Sequence, residues 1–248
     1  MLKNKNSLQK IYEIAMVLLA IVCLGAVLSV VIGFGKGAAD DPSNPEKIPV
    51  SDRTDLYQIP NNPTQFQRSI YESLAREVNS VKDITTEDLS NWAKEVTRSF
   101  IADYFTWSNK RGSYDVGGLD YVFGPTHSNF SWSARDYYYS DLDILMKDYG
   151  VENLPTVSEI TIESVEHMPE TYQWKTTVHD YSNDTDYEEI SEYDAYLVKA
   201  NWKYELKEGS GYDASNLPTY GNFMLVVRDN RLEVAYYHEE WVRSIAHE

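Results

Sequence analysis

The sequence predicts an α+β protein: an N-terminal transmembrane helix, then a domain of about three helices packed on a curved antiparallel sheet. Three observations carry this. An uncharged apolar run lies near the start, apolar positions recur at helical spacing from Phe66 to Met146, and the period changes to two after Pro155. Helices first and strands afterwards, without alternation, is the pattern of helices gathered on one face of an antiparallel sheet.

The apolar run extends from Ile14 to Phe34 without a charge. At about 1.5 Å per residue it reaches roughly 30 Å, the thickness of a hydrocarbon core. A cleaved signal peptide has a shorter apolar region, although Gly37-Ala38-Ala39 offers the small residues of a cleavage site. Lys3, Lys5 and Lys10 precede the span and Asp40 and Asp41 follow it, which places the N-terminus in the cytoplasm. The expectation is therefore a single-pass cell-membrane protein with an extracellular C-terminal domain. Gly25, Ser29 and Gly33 line one helix face, where two such helices can approach closely. A homo-oligomer is one expectation from that stripe; ordinary small-residue usage in membrane helices is the other. Residues 1–13 read as the cytoplasmic tail, 14–34 as the membrane helix, 35–62 as a Pro-, Asp- and Ser-rich linker, and 63–242 as the extracytoplasmic domain.

Helix signals follow in order. Pro63 fits a first helical position, with Phe66, Ile70, Leu74 and Val78 forming one stripe. Thr85 and Asp88 suggest a capping box for a second helix, whose face is Leu89, Trp92, Val96, Phe100, Tyr104 and Trp107, widened by Ile101 and Phe105. Residues 108–135, with Gly112, Gly117, Gly118 and Gly124-Pro125, read as a long loop. A third helix covers about Ala134 to Tyr149, with Tyr138, Leu142, Leu145 and Met146 inward and Gly150 as its stop.

Strands take over after Pro155. Ile160 and Ile162 alternate with polar residues, as do Tyr172, Trp174, Thr176 and Val178. Tyr196, Val198, Ala200, Trp202, Tyr204 and Leu206 share one face, opposite Lys199, Asn201, Lys203 and Glu205. Phe223, Leu225 and Val227 lead to a two-residue turn at Asp229-Asn230, and Leu232, Val234 and Tyr236 return.

Charge bounds the function. The net charge is −17, yet residues 1–36 carry Lys3, Lys5, Lys10 and Lys36 against Glu13 alone, so the remainder stands at −20. So acidic a body repels phosphate backbones, which argues against direct nucleic-acid binding. Cys23, the only cysteine, lies in the membrane run, so thiol catalysis and intramolecular disulfides are excluded. An exported domain without disulfides fits a Gram-positive envelope. Asn129-Phe130-Ser131 and Asn183-Asp184-Thr185 match the glycosylation triplet, a pattern that arises by chance.

No catalytic, cofactor-binding or metal-ligating residue is assigned, and no cofactor is expected. Asp180, Ser182, Asp184 and Asp186, with Glu188 after them, place oxygens at alternate positions like a calcium loop. Thr185 stands where glycine is needed and Ser191 where a bidentate Glu should be, so a solvated hairpin loop is the expected reading. His127, His167, His179, His238 and His247 form no helical ligand pair. His179 beside Asp180, or His238 beside Glu239, could make an acid–base pair; surface histidines are the plainer reading. Asp115-Val116-Gly117-Gly118 allows an unusual backbone path, for a turn or for a partner-binding loop.

The order of elements resembles that of the bitopic, nuclear-transport-factor-2-like scaffold subunits of type IV secretion and conjugative-transfer systems. The likeness covers residues 11 to about 240 and involves no motif: Asn62-Pro63 lies ahead of the helices, away from the Asn-Pro signature of Gram-negative members. It implies a cone-like domain and a non-enzymatic scaffold whose partners are the membrane and the proteins of an envelope complex, met through sheet edges and the 108–135 loop. A second expectation is an anchored enzyme or small-ligand-binding domain using the cone interior, with His179 or Asp120 turned into an apolar cavity. A third is an accessory protein associated with surface lipid or peptidoglycan.

Overall fold

The computed structural model describes residues 54–238. The expected membrane span at 14–34, the cytoplasmic tail, most of the linker and residues 239–248 lie outside the described residues. Among the described residues no helix is long and apolar enough to cross a membrane. What is described is α+β: four α-helices, then an antiparallel sheet in the order β1-β2-β3-β4.

Helix α1 is Gln65–Ser80. It begins two residues later than Pro63 suggested, because Thr64 caps it: the Thr64 hydroxyl accepts from the Gln67 amide at 3.1 Å, and the Gln67 side chain accepts from the Thr64 amide at 2.8 Å. Helix α2 is Ser90–Tyr104, five residues beyond the expected start. The box at Thr85 does not form, since Thr85 donates back to Asp83 and Asp88 instead accepts from the Ser90 amide at 2.9 Å. The expected face of α2 is buried, from Leu89 through Trp92, Val96 and Phe100 to Trp107.

The expected third helix is two: α3, His127–Asp136, and α4, Leu142–Tyr149. The break at Tyr137 lets Tyr139 turn inward. Its hydroxyl donates to the Tyr104 carbonyl at 2.5 Å and accepts from the Gly117 amide at 3.1 Å. Residues 108–135 are accordingly no continuous loop. They contain 3-10 turns at Leu119–Tyr121 and Gly124–Thr126 and all of α3 but its last residue. Gly150, at φ 82°, ends α4 as expected.

The strands are β1 (Thr156–Asp180), β2 (Thr185–Glu205), β3 (Tyr220–Arg228) and β4 (Arg231–His238). On β2, Tyr196, Val198, Ala200 and Trp202 are buried against the helices while Lys203 and Glu205 are exposed, following the sequence alternation. Asp229 and Asn230, at φ 48° and 62°, form the turn between β3 and β4. Register shifts in β1 fall at Val157/Glu159, Ile162/Ser164 and Met168/Tyr172. These interrupt an edge strand that would otherwise run straight for 25 residues.

The end of the presumed linker is part of this body. Tyr57 is only 1 % exposed. Its hydroxyl donates to the Leu232 carbonyl at 2.8 Å and accepts from Trp92 Nε1 and the Leu232 amide, both at 3.0 Å.

Candidate interaction surface

Between helices and sheet, where a ligand cavity was one expectation, aromatic rings fill the space. Phe105 stacks on Trp202 at 4.4 Å between centroids, Phe223 on Tyr237 at 4.9 Å, and Tyr104 on Tyr138 at 5.0 Å. Phe100 joins them, stacked on Tyr104 at 5.2 Å. Such pairs add to the burial energy and leave little room for substrate.

The polar residues considered from sequence are scattered. His179 sits near the tip of the β1–β2 hairpin, its Nδ1 2.7 Å from Asp186 and its Nε2 3.5 Å from Asp184. Asp120 accepts from the Gln58 amide at 2.7 Å, with its carboxyl raised by partial burial. The Arg231 guanidinium donates to the Asp120 carbonyl and lies over the Tyr57 ring at 4.7 Å. Asp120 therefore pins the incoming chain to the body. His127 is exposed at the start of α3. His247 and Glu239 lie outside the described residues.

The Asp180–Asp186 stretch is a tight turn. Asp180 accepts from the Ser182 amide at 2.8 Å, the Ser182 hydroxyl at 2.6 Å and the Asn183 side chain at 2.7 Å. These bonds, the Ser182 hydroxyl first, hold its carboxyl below the usual range. Among the described residues no three His, Cys, Asp or Glu side chains are grouped to hold a metal ion.

The Asp115–Gly118 segment is a pinned corner. Lys110, 4 % exposed in its side chain, pairs with Asp103 at 2.7 Å, and Asp103 also accepts from the Gly118 amide at 2.7 Å. Gly118 is left-handed at φ 74°, and a Cβ on Gly117 would overlap the Asp103 carbonyl. What faces solvent nearby is aromatic: Tyr114 and Trp132 are exposed, with the Arg135 guanidinium 5.8 Å from the Trp132 ring.

The β1–β2 hairpin continues well past the body. Tyr172–Asp180 pairs with Thr185–Tyr193 without a register shift, and β3 joins β2 only from Ala195 to Asn201. Nine residues of strand reach about 30 Å. Every residue from Tyr181 to Ile190 is exposed, including Tyr187 at 52 % and Ile190 at 51 %.

A small aromatic cluster roots this ribbon. Phe123, fully buried, meets Tyr172, Trp174 and Tyr193 edge-on at 5.7, 5.6 and 5.5 Å. The Arg228 guanidinium lies 5.7 Å from the same ring and grips Glu233 through two bonds at 2.8 and 3.0 Å. Glu233 accepts from the Gly124 amide at 3.1 Å, fixing the segment that carries Phe123. Beside the root, His167 stacks on Tyr196 at 4.7 Å and approaches Asp194 at 3.9 Å, lining an open cleft of about 360 Å³ with Thr85, Asp88 and Ser90.

No family model, curated protein or solved structure matches the chain. Phe123, Arg228 and Glu233 were not singled out from sequence. Their only signal was apolar and charged residues at ordinary strand and loop spacing. The ribbon did leave a signal, the alternation on both sides of Asp180, but its reach beyond β3 depends on how far β3 pairs.

Proposed function

We propose that the chain is a membrane-anchored, extracytoplasmic scaffold subunit of a Gram-positive cell-envelope or conjugative-transfer complex, acting through protein–protein contacts. The observation that carries the reading is the ribbon itself. A two-stranded ribbon held to its body only at the root gains little stability from its far half, and isolated hairpins are marginal in water. Exposed Tyr181, Tyr187 and Ile190 at its outer end are side chains suited to a partner's surface. The packed aromatic interior supports the same reading, since a ligand-binding or enzymatic domain of this kind needs a cavity with convergent polar groups. The anchor at 14–34 and the extracellular placement belong to this proposal and rest on the apolar run and the lysines before it.

The test is affinity purification of the full-length chain from detergent-solubilised membranes of its native cells, with mass spectrometry of what accompanies it. The reading expects other membrane or envelope subunits of one complex in near-stoichiometric amount. Recovery of the chain alone, under detergents that preserve known envelope complexes, would overturn it.

A further inference from the structure

We infer that the free edge of β2 between Thr185 and Tyr193 accepts an extended, basic segment of another protein as an added antiparallel or parallel strand. The inference rests on the scaffold reading above and names the chemistry of the partner.

The first part of the argument is geometric. Among the described residues, Thr185–Tyr193 pairs with β1 on one side and with no strand on the other, because the pairing of β3 with β2 ends at Ala195. An open edge is a template for a further strand. In the body, the β1 edge carries register shifts and Pro169, the devices that keep foreign strands off. The β2 edge of the ribbon has neither: TDYEEISEY runs in unbroken register with no proline.

The second part is charge. Asp186, Glu188 and Glu192 share one face of this edge with Ile190, and Glu189 lies on the other with Tyr187, Ser191 and Tyr193. Nothing basic interrupts the segment. His179 reaches Asp186 across the ribbon at 2.7 Å, and among the described residues Glu188, Glu189 and Glu192 have no lysine or arginine ion pair. From Tyr172 to Asp194 the ribbon carries Asp180, Asp184, Asp186, Glu188, Glu189, Glu192 and Asp194 against Lys175 alone. In the register centred on Glu189, a second copy laid antiparallel on this edge would set Asp186 opposite Glu192 and Glu189 opposite itself, and like charges directly opposite are destabilising. A strand with lysine or arginine at alternate positions, and an apolar residue facing Ile190, meets Asp186, Glu188 and Glu192 favourably on their shared face. The acidic edge thus selects against self-stacking and for a basic strand.

The experiment is hydrogen–deuterium exchange on the full-length chain in micelles. Three nine-residue peptides are compared: one alternating lysine with threonine and valine, the same sequence N-methylated on alternate backbone amides, and its glutamate counterpart. The first peptide is expected to slow exchange of amides in Thr185–Tyr193 by about tenfold at a concentration roughly ten times its dissociation constant. The N-methylated and glutamate peptides are expected to leave them unchanged. The Glu188→Lys/Glu192→Lys variant, altered only at exposed positions, is expected to lose the response to the lysine peptide.

Equal protection by the N-methylated peptide would show charge association without strand addition and overturn the inference. So would absence of protection by the lysine peptide, or protection of the same amides by raising protein concentration alone, which would name a second copy as the occupant. Failure here with successful co-purification leaves a scaffold that uses another surface. Peptide binding with nothing co-purified leaves a basic-strand receptor outside any stable complex.

Discussion

Tyr57 shows how much a single side chain can decide. It lies in a stretch rich in Pro, Asp and Ser, yet its hydroxyl serves Trp92 Nε1 and both backbone groups of Leu232 across 175 positions of sequence. Burial pushes its hydroxyl well above the usual phenol range, so it stays protonated and able to donate. Tyr57→Phe keeps the ring but strands the Trp92 and Leu232 donors in the core. The expected loss is about 3 kcal/mol of unfolding free energy, measured by urea denaturation at neutral pH. Such residues were illegible in the sequence for a physical reason. Tyr57 has no helical or strand period around it, and its partners are set by the tertiary meeting of α2 and β4. The buried faces of α2 and β2 were legible because burial there follows the element's own period.

At the scale of elements, faces were readable and ends were not. The stripe Trp92, Val96, Phe100 and the alternation Tyr196, Val198, Ala200, Trp202 are buried as the spacing implied. Helix ends depend on which of several nearby Ser, Thr and Asp side chains wins the first-turn amides. For α2 the cap position falls to Leu89, which offers no side-chain bond, and Asp88 just before it accepts from the Ser90 hydroxyl and amide, which hold its carboxyl below the usual range. Asp88→Ala is expected to cost about 1 kcal/mol at pH 7, the order of an exposed bond to a charged acceptor. Because the folded-state pKa is depressed, the contribution is present above the unfolded carboxylate range and is lost as pH falls through the folded value. The difference between wild type and Asp88→Ala in thermal or urea melts should therefore shrink on acidification. A difference unchanged from pH 7 into the acid range would mean that Asp88 does not hold Ser90 as a carboxylate. The break between α3 and α4 was hidden for another reason: Leu142, Leu145 and Met146 continue the apolar spacing across it, and only the bonds of Tyr139 to Tyr104 and Gly117 require the chain to turn.

For the molecule as a whole, the α+β order was plain from the change of period, and it places helices over one face of a single antiparallel sheet. The candidate surface was only half legible. Residue by residue, the acidic turn at Asp180–Asp186 reads as a metal loop or a solvated connection, whereas its setting is the tip of a long two-stranded arm. Length of an arm beyond its sheet is a property of where the third strand ends, which no local pattern records. Stacked rings fill the space between helices and sheet, and among the described residues the arm is open along both edges, which is why the proposed contacts are put on the outside of the domain.

Site-specific photo-crosslinking in the native cells tests this most directly. A photoreactive amino acid is placed at Tyr187 or Ile190 on the arm, or at Lys147 on α4 as a comparison. Discrete crosslinked products with another envelope protein are expected from the two arm positions and few from Lys147. Equal, diffuse labelling from all three positions, or none from the arm, would contradict it.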